Sequence, residues 1–134
     1  MSDVIIKDIM RDVTVDIITA TGQDSISIYC DGKLKESGGK YSVKAQSDDA
    51  VFFFEYDRNE KLFAAHRRGG MDYDARFKDG EVFAANLTTP FGQVKTQCKT
   101  LRTAFDELDG GYAFRAEYEL CGERYNLTVS IRDK

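Results

Sequence analysis

The chain has 134 residues, 42% of them hydrophobic and 31% charged, with 19 Lys and Arg against 23 Asp and Glu. That length suits one domain, and that balance is globular rather than disordered. A net charge of −4 argues against nucleic-acid binding unless the fold gathers a strong local basic patch.

Residues 1–11 carry Val4, Ile5, Ile6, Ile9 and Met10, interrupted by Asp3, Lys7, Asp8 and Arg11. This is neither a signal peptide nor a membrane span, so the protein is expected in the cytoplasm, without a membrane partner. The stretch reads as an extension that could form a short helix packed on a single domain spanning 12–134. The three cysteines, Cys30, Cys98 and Cys121, are odd in number and lack CxxC spacing, which fits reduced thiols better than a disulfide framework.

From residue 12 onward, turn signals recur at short intervals: Gly22-Gln23-Asp24, Asp31-Gly32, Gly38-Gly39, Asp48-Asp49, Asp57-Arg58-Asn59, Gly69-Gly70, Asp79-Gly80, Thr89-Pro90-Phe91-Gly92, Asp109-Gly110 and Cys121-Gly122. Between them lie runs rich in Val, Ile, Phe, Tyr and Thr, the cadence of an all-β antiparallel meander. Such a meander closes most economically into a barrel of roughly 8–10 strands.

Hairpin arithmetic makes this testable, because directly opposed residues share a face. A two-residue turn at Gly69-Gly70 puts Arg68 opposite Met71 and His66 opposite Tyr73. One at Asp79-Gly80 puts Tyr73 opposite Asn86 and Met71 opposite Thr88. The inner face then carries His66, Arg68, Tyr73, Asn86 and Thr88 near one barrel mouth, with Arg67 and Asp72 paired outside. Residues 100–108 show helical spacing when read alone. A turn at Asp109-Gly110 instead sets Phe105 against Phe114, Thr103 against Ala116, Leu101 against Tyr118 and Arg102 against Glu117. A turn at Cys121-Gly122 sets Tyr118 against Tyr125, Ala116 against Leu127, Phe114 against Val129 and Tyr112 against Ile131.

The matching stretches Val13-Thr14-Val15-Asp16-Ile17, Tyr29-Cys30-Asp31-Gly32-Lys33, Arg67-Arg68-Gly69-Gly70-Met71, Thr89-Pro90-Phe91-Gly92 and Tyr118-Glu119-Leu120-Cys121-Gly122 carry a resemblance. From about Asp12 onward the chain resembles the YwiB-like family of small bacterial proteins. The resemblance implies a closed calycin-type (lipocalin-like) barrel with an internal cavity. It brings no activity, cofactor or catalytic residue.

The leading functional expectation is a non-enzymatic barrel that holds a small anionic or amphipathic ligand near Arg68, His66, Tyr73, Asn86 and Thr88. Alternatively, these groups satisfy one another, and the chain is a filled structural or interaction module. In that case the apolar run Val51-Phe52-Phe53-Phe54 could serve as a covered strand or a homodimer contact. His66 is the sole histidine, so no multi-histidine metal site and no cofactor are expected. An enzyme ranks third, since no nucleophile is placed beside that histidine.

Overall fold

The computed structural model describes residues 9–134. Ten antiparallel strands follow in chain order: β1 (Ile9–Thr21), β2 (Asp24–Ser37), β3 (Lys40–Gln46), β4 (Val51–Asp57), β5 (Leu62–Arg68), β6 (Asp72–Phe77), β7 (Val82–Thr89), β8 (Gly92–Leu108), β9 (Gly111–Leu120) and β10 (Glu123–Asp133). Each strand pairs with its neighbour in sequence, and β1 closes on β10 to complete the barrel. Asp31-Gly32 is not a turn: it lies inside β2, where Gly32 allows the close approach of the Lys44 carbonyl. There is no helix among the described residues. Ile9, Met10 and Arg11 open β1 and pair with Glu36, Lys35 and Leu34, so the barrel begins at Ile9 rather than residue 12. The rest of the expected N-terminal helix lies outside the described residues.

The last three strands have the expected register. Tyr118 faces Tyr125, Ala116 faces Leu127, Phe114 faces Val129 and Tyr112 faces Ile131. Cys121 and Gly122 both hold positive φ (52° and 80°), as a two-residue type I′ turn requires. Between β8 and β9 the pairs Phe105–Phe114, Thr103–Ala116 and Arg102–Glu117 also form. The expected Leu101–Tyr118 pair does not, because a bulge between Thr100 and Arg102 brings Thr100 opposite Tyr118.

That bulge has a local cause. Thr100 is fully buried, and the loop between β6 and β7 saturates it. Its Oγ1 accepts from the Lys78 N–H (3.1 Å), its carbonyl accepts from Gly80 (3.0 Å), and its own N–H donates to Glu81 (2.9 Å). Asp79 completes the clasp by accepting from the Thr103 hydroxyl at 2.9 Å. A buried polar residue with every group paired fixes this corner.

Inward residues alternate along each strand and fill the middle of the barrel with Val13, Val15, Leu34, Val43, Phe54, Phe63, Phe77, Phe114, Val129 and Ile131. One end is stoppered by rings. Tyr41, Tyr56, Phe105, Tyr112 and Phe114 lie in a chain of contacts with centroids 4.7–5.8 Å apart. Arg58 covers Phe105 at 4.8 Å and Arg11 covers Tyr112 at 5.7 Å. Carboxylates neutralise both arginines: Glu36 and Asp133 hold Arg11, and Glu107 holds Arg58.

A candidate ligand cavity at the open end

The site turns on the hairpin of β5 and β6. Phe63 pairs with Phe77, Ala65 with Ala75, His66 with Asp74 and Arg67 with Tyr73, one residue out of step with a two-residue turn. The loop holds three residues, Gly69, Gly70 and Met71, and the Asp72 carboxylate closes it by accepting from the Gly69 N–H at 2.8 Å. Gly69 adopts φ 113°, and a Cβ there would stand 2.5 Å from the Asp49 carbonyl, so only glycine fits this close approach. The next ladder is displaced in the same way. Asp79-Gly80 does form a turn, with Glu81 donating to the Lys78 carbonyl, but that turn is bonded to Thr100 of β8. The β6–β7 ladder therefore pairs Tyr73 with Leu87, Asp74 with Asn86 and Asp72 with Thr88.

A one-residue slip exchanges the faces of a strand. Tyr73 points inward as expected. His66, Arg68 and Thr88 do not: they lie on the outer face with Asp72, which corrects the expected inward row for those three, while Asn86 and Asp74, paired with each other, also border the cavity. Outside, His66 Nδ1 and Arg68 Nη2 both contact Asp74 Oδ1, at 2.5 and 2.9 Å, and Phe53 lies against the imidazole. Burial alone would raise the Asp74 carboxyl, but the His66 and Arg68 hydrogen bonds outweigh it and hold the group below its usual range. The three side chains are more than a third exposed, so this is a solvated ion cluster.

Arg67 takes the inward place instead. It lines a cavity of about 230 Å³ at the end of the barrel opposite the aromatic stopper, together with Phe52, Tyr73, Tyr118, Ile28 and Cys98. Its guanidinium carbon sits 5.4 Å from the centre of the Phe52 ring. Its Nε is buried, and no acceptor among the described residues bonds it. Nor does any carboxylate of the described residues form an ion pair with it, in contrast to Arg11, Arg58, Arg68, Arg115 and Arg124.

Two phenols face the same space. Burial pushes Tyr73 up to about 12, with Arg67 drawing it partly back. Burial also raises Tyr118 well above an ordinary phenol, and the neighbouring Tyr73 and Cys98 add to the shift. Both therefore remain neutral hydroxyls able to donate a hydrogen bond. Desolvation raises the Cys98 thiol to about 11, so the cavity holds no thiolate at neutral pH. Among the described residues no cluster of His, Cys, Asp and Glu could hold a metal ion. The arrangement offers one cation and two hydroxyl donors on a largely apolar wall, with Asn86 and the Asp74 carboxylate, itself held by His66 and Arg68, at its border.

Sequence reasoning thus missed Arg67 and Tyr118 as cavity residues. A signal was available in β7: placing Asn86 inside sends Leu87 into water, whereas the observed register buries the leucine side. In β5 the pairs Leu62-Phe63 and His66-Arg67 are alike in polarity, so alternation alone cannot choose between the two registers.

No family model matches the chain, and no curated protein matches its sequence. Among solved structures, the ywiB protein from Bacillus subtilis is similar with a TM-score of 0.74 at 15% identity, over 95% of this chain and 93% of that one. The chain therefore has the fold of the Bacillus subtilis YwiB protein, an all-β closed barrel.

Proposed function

We propose that this barrel is a non-enzymatic, cytoplasmic binding protein for a small organic anion, with a carboxylate-type head on Arg67 and an apolar body in the cavity. The observation that carries this reading is the inward guanidinium without a carboxylate partner among the described residues. The guanidinium is partly buried, and its buried Nε lacks an acceptor that a bound anion supplies. Tyr73 and Tyr118 supply further donors, and Phe52, Ile28 and Leu127 supply apolar wall. At about 230 Å³ the space is below the roughly 300 Å³ at which drug-sized sites begin, so the ligand is a compact one.

Native mass spectrometry of freshly purified protein, followed by a thermal-shift screen of short carboxylates, tests the reading. A ligand at a hundred times its dissociation constant adds about 2.7 kcal/mol of stability. No co-purified mass and no shift with any carboxylate would defeat the proposal.

A further inference from the structure

The wall of the cavity contains an unfinished sheet edge. β2 pairs with β1 along its whole length, from Asp24 to Glu36. On its other side it pairs with β3 only from Asp31 to Ser37, because β3 ends at Gln46 and the chain turns through Ser47–Ala50 into β4. Among the described residues, no strand pairs with that side over Asp24–Cys30.

The register says which groups are left. Two-residue turns at Gly22-Gln23 and Gly38-Gly39 make Thr21–Asp24 and Ser37–Lys40 hydrogen-bonded pairs. Alternation then commits Ile26, Ile28 and Cys30 to β1, and Asp31 and Lys33 to β3. Both ladders agree that Ser25, Ser27 and Tyr29 aim their N–H and C=O groups at the open side. These three residues are exposed. The stretch contains no Lys, no Pro and no bulge, the usual devices that blunt a free edge. The intervening Ile26 and Ile28 line the same cavity as Arg67.

We infer that the anion taken by Arg67 is the C-terminal carboxylate of an extended peptide, which adds as a strand along Ser25–Tyr29 and places its last apolar side chain in the cavity. This rests on the small-anion reading above and narrows it. Two separate deficits meet here, and one ligand chemistry satisfies both. The backbone edge requires another backbone, as in other strand-addition recognition, and the unpaired guanidinium requires an anion at its end. A compact cavity accommodates one terminal side chain where it would exclude a larger free metabolite.

The test compares acetylated hexapeptides of alternating Val and Thr, ending in Ala, Val, Leu or Phe, as free acids and as amides, with hexanoate as the small-anion control. The free acids should bind, and the amides should bind about tenfold or more weakly. Binding should slow hydrogen exchange at the Ser25, Ser27 and Tyr29 amides, a readout that needs no variant. Ser27→Pro removes an N–H that β1 does not use, so it should weaken the peptides while sparing hexanoate; Ser25→Pro serves if the first variant does not fold. Arg67→Gln should weaken peptides and hexanoate alike. Hexanoate binding with no peptide binding and no amide protection would overturn strand addition and leave the anion site standing. A wild-type dimer that Ser27→Pro dissociates would also overturn it, giving the edge to a second copy. Failure of hexanoate and peptides together would remove both readings.

Discussion

The two ends of this barrel solve the same problem differently. Each carries an arginine over an aromatic ring, Arg11 over Tyr112 at one end and Arg67 over Phe52 at the other. At the first, Glu36 and Asp133 neutralise the charge, and five rings close the space beneath it. At the second, no carboxylate of the described residues answers the charge, and a cavity remains beneath it. The first arrangement is complete as a structure. The second leaves the Arg67 Nε without an acceptor among the described residues, and the proposed function makes it the binding end.

The largest expected effect falls on the filled side of this divide. Phe114→Ala removes a ring that touches Tyr56, Phe63 and Phe105. It should cost about 3–5 kcal/mol in urea unfolding, because a packed core cannot collapse around so large a void. Thr100→Val should cost about 1–3 kcal/mol by leaving the Lys78 N–H without its acceptor. It would also loosen the corner that sets the displaced β6–β7 ladder.

Alkaline titration sharpens the comparison from the open side. Tyr73 ionises near 12 when folded and near about 10 when unfolded, so the folded state keeps its proton longer. Its contribution to stability is therefore full below pH 10 and is lost as pH rises toward 12. Phenolate absorbance should show Tyr73 and Tyr118 silent through about pH 10–11. Unfolding and phenolate formation should then coincide. The smallest effect is the most telling one. Arg67→Leu should leave thermal stability within about 1 kcal/mol of wild type, since it removes a charge with no carboxylate partner and loses only the contact with the Phe52 ring.

Much of the fold was legible because the β8–β10 hairpins carry their own register. Their two-residue turns are marked by Asp109-Gly110 and Cys121-Gly122, and Phe114, Ala116 and Tyr118 leave one face apolar only in the observed pairing. The middle of the chain was not legible to the same depth. Gly69-Gly70 looks like a two-residue turn, but Asp72 draws Met71 into the loop, and Thr100 captures the Asp79-Gly80 turn from a distant strand. Neither contact has a signature in local alternation. Those two slips put Arg67 in the cavity in place of His66 and Arg68 and turned Thr88 outward, while Tyr73 kept its place. The run Val51-Phe52-Phe53-Phe54 likewise resolves into two core rings and one half-exposed Phe53 packed on His66.

The central claim is that the unanswered charge of Arg67 makes the open end a site for anions. Calorimetric titration of the wild type and Arg67→Gln with hexanoate and with hexanol tests it most directly. The account predicts that the wild type binds hexanoate well above hexanol, and that Arg67→Gln loses this preference while remaining folded. Equal binding of the two by the wild type, or a preference for hexanoate that survives in Arg67→Gln, would contradict it.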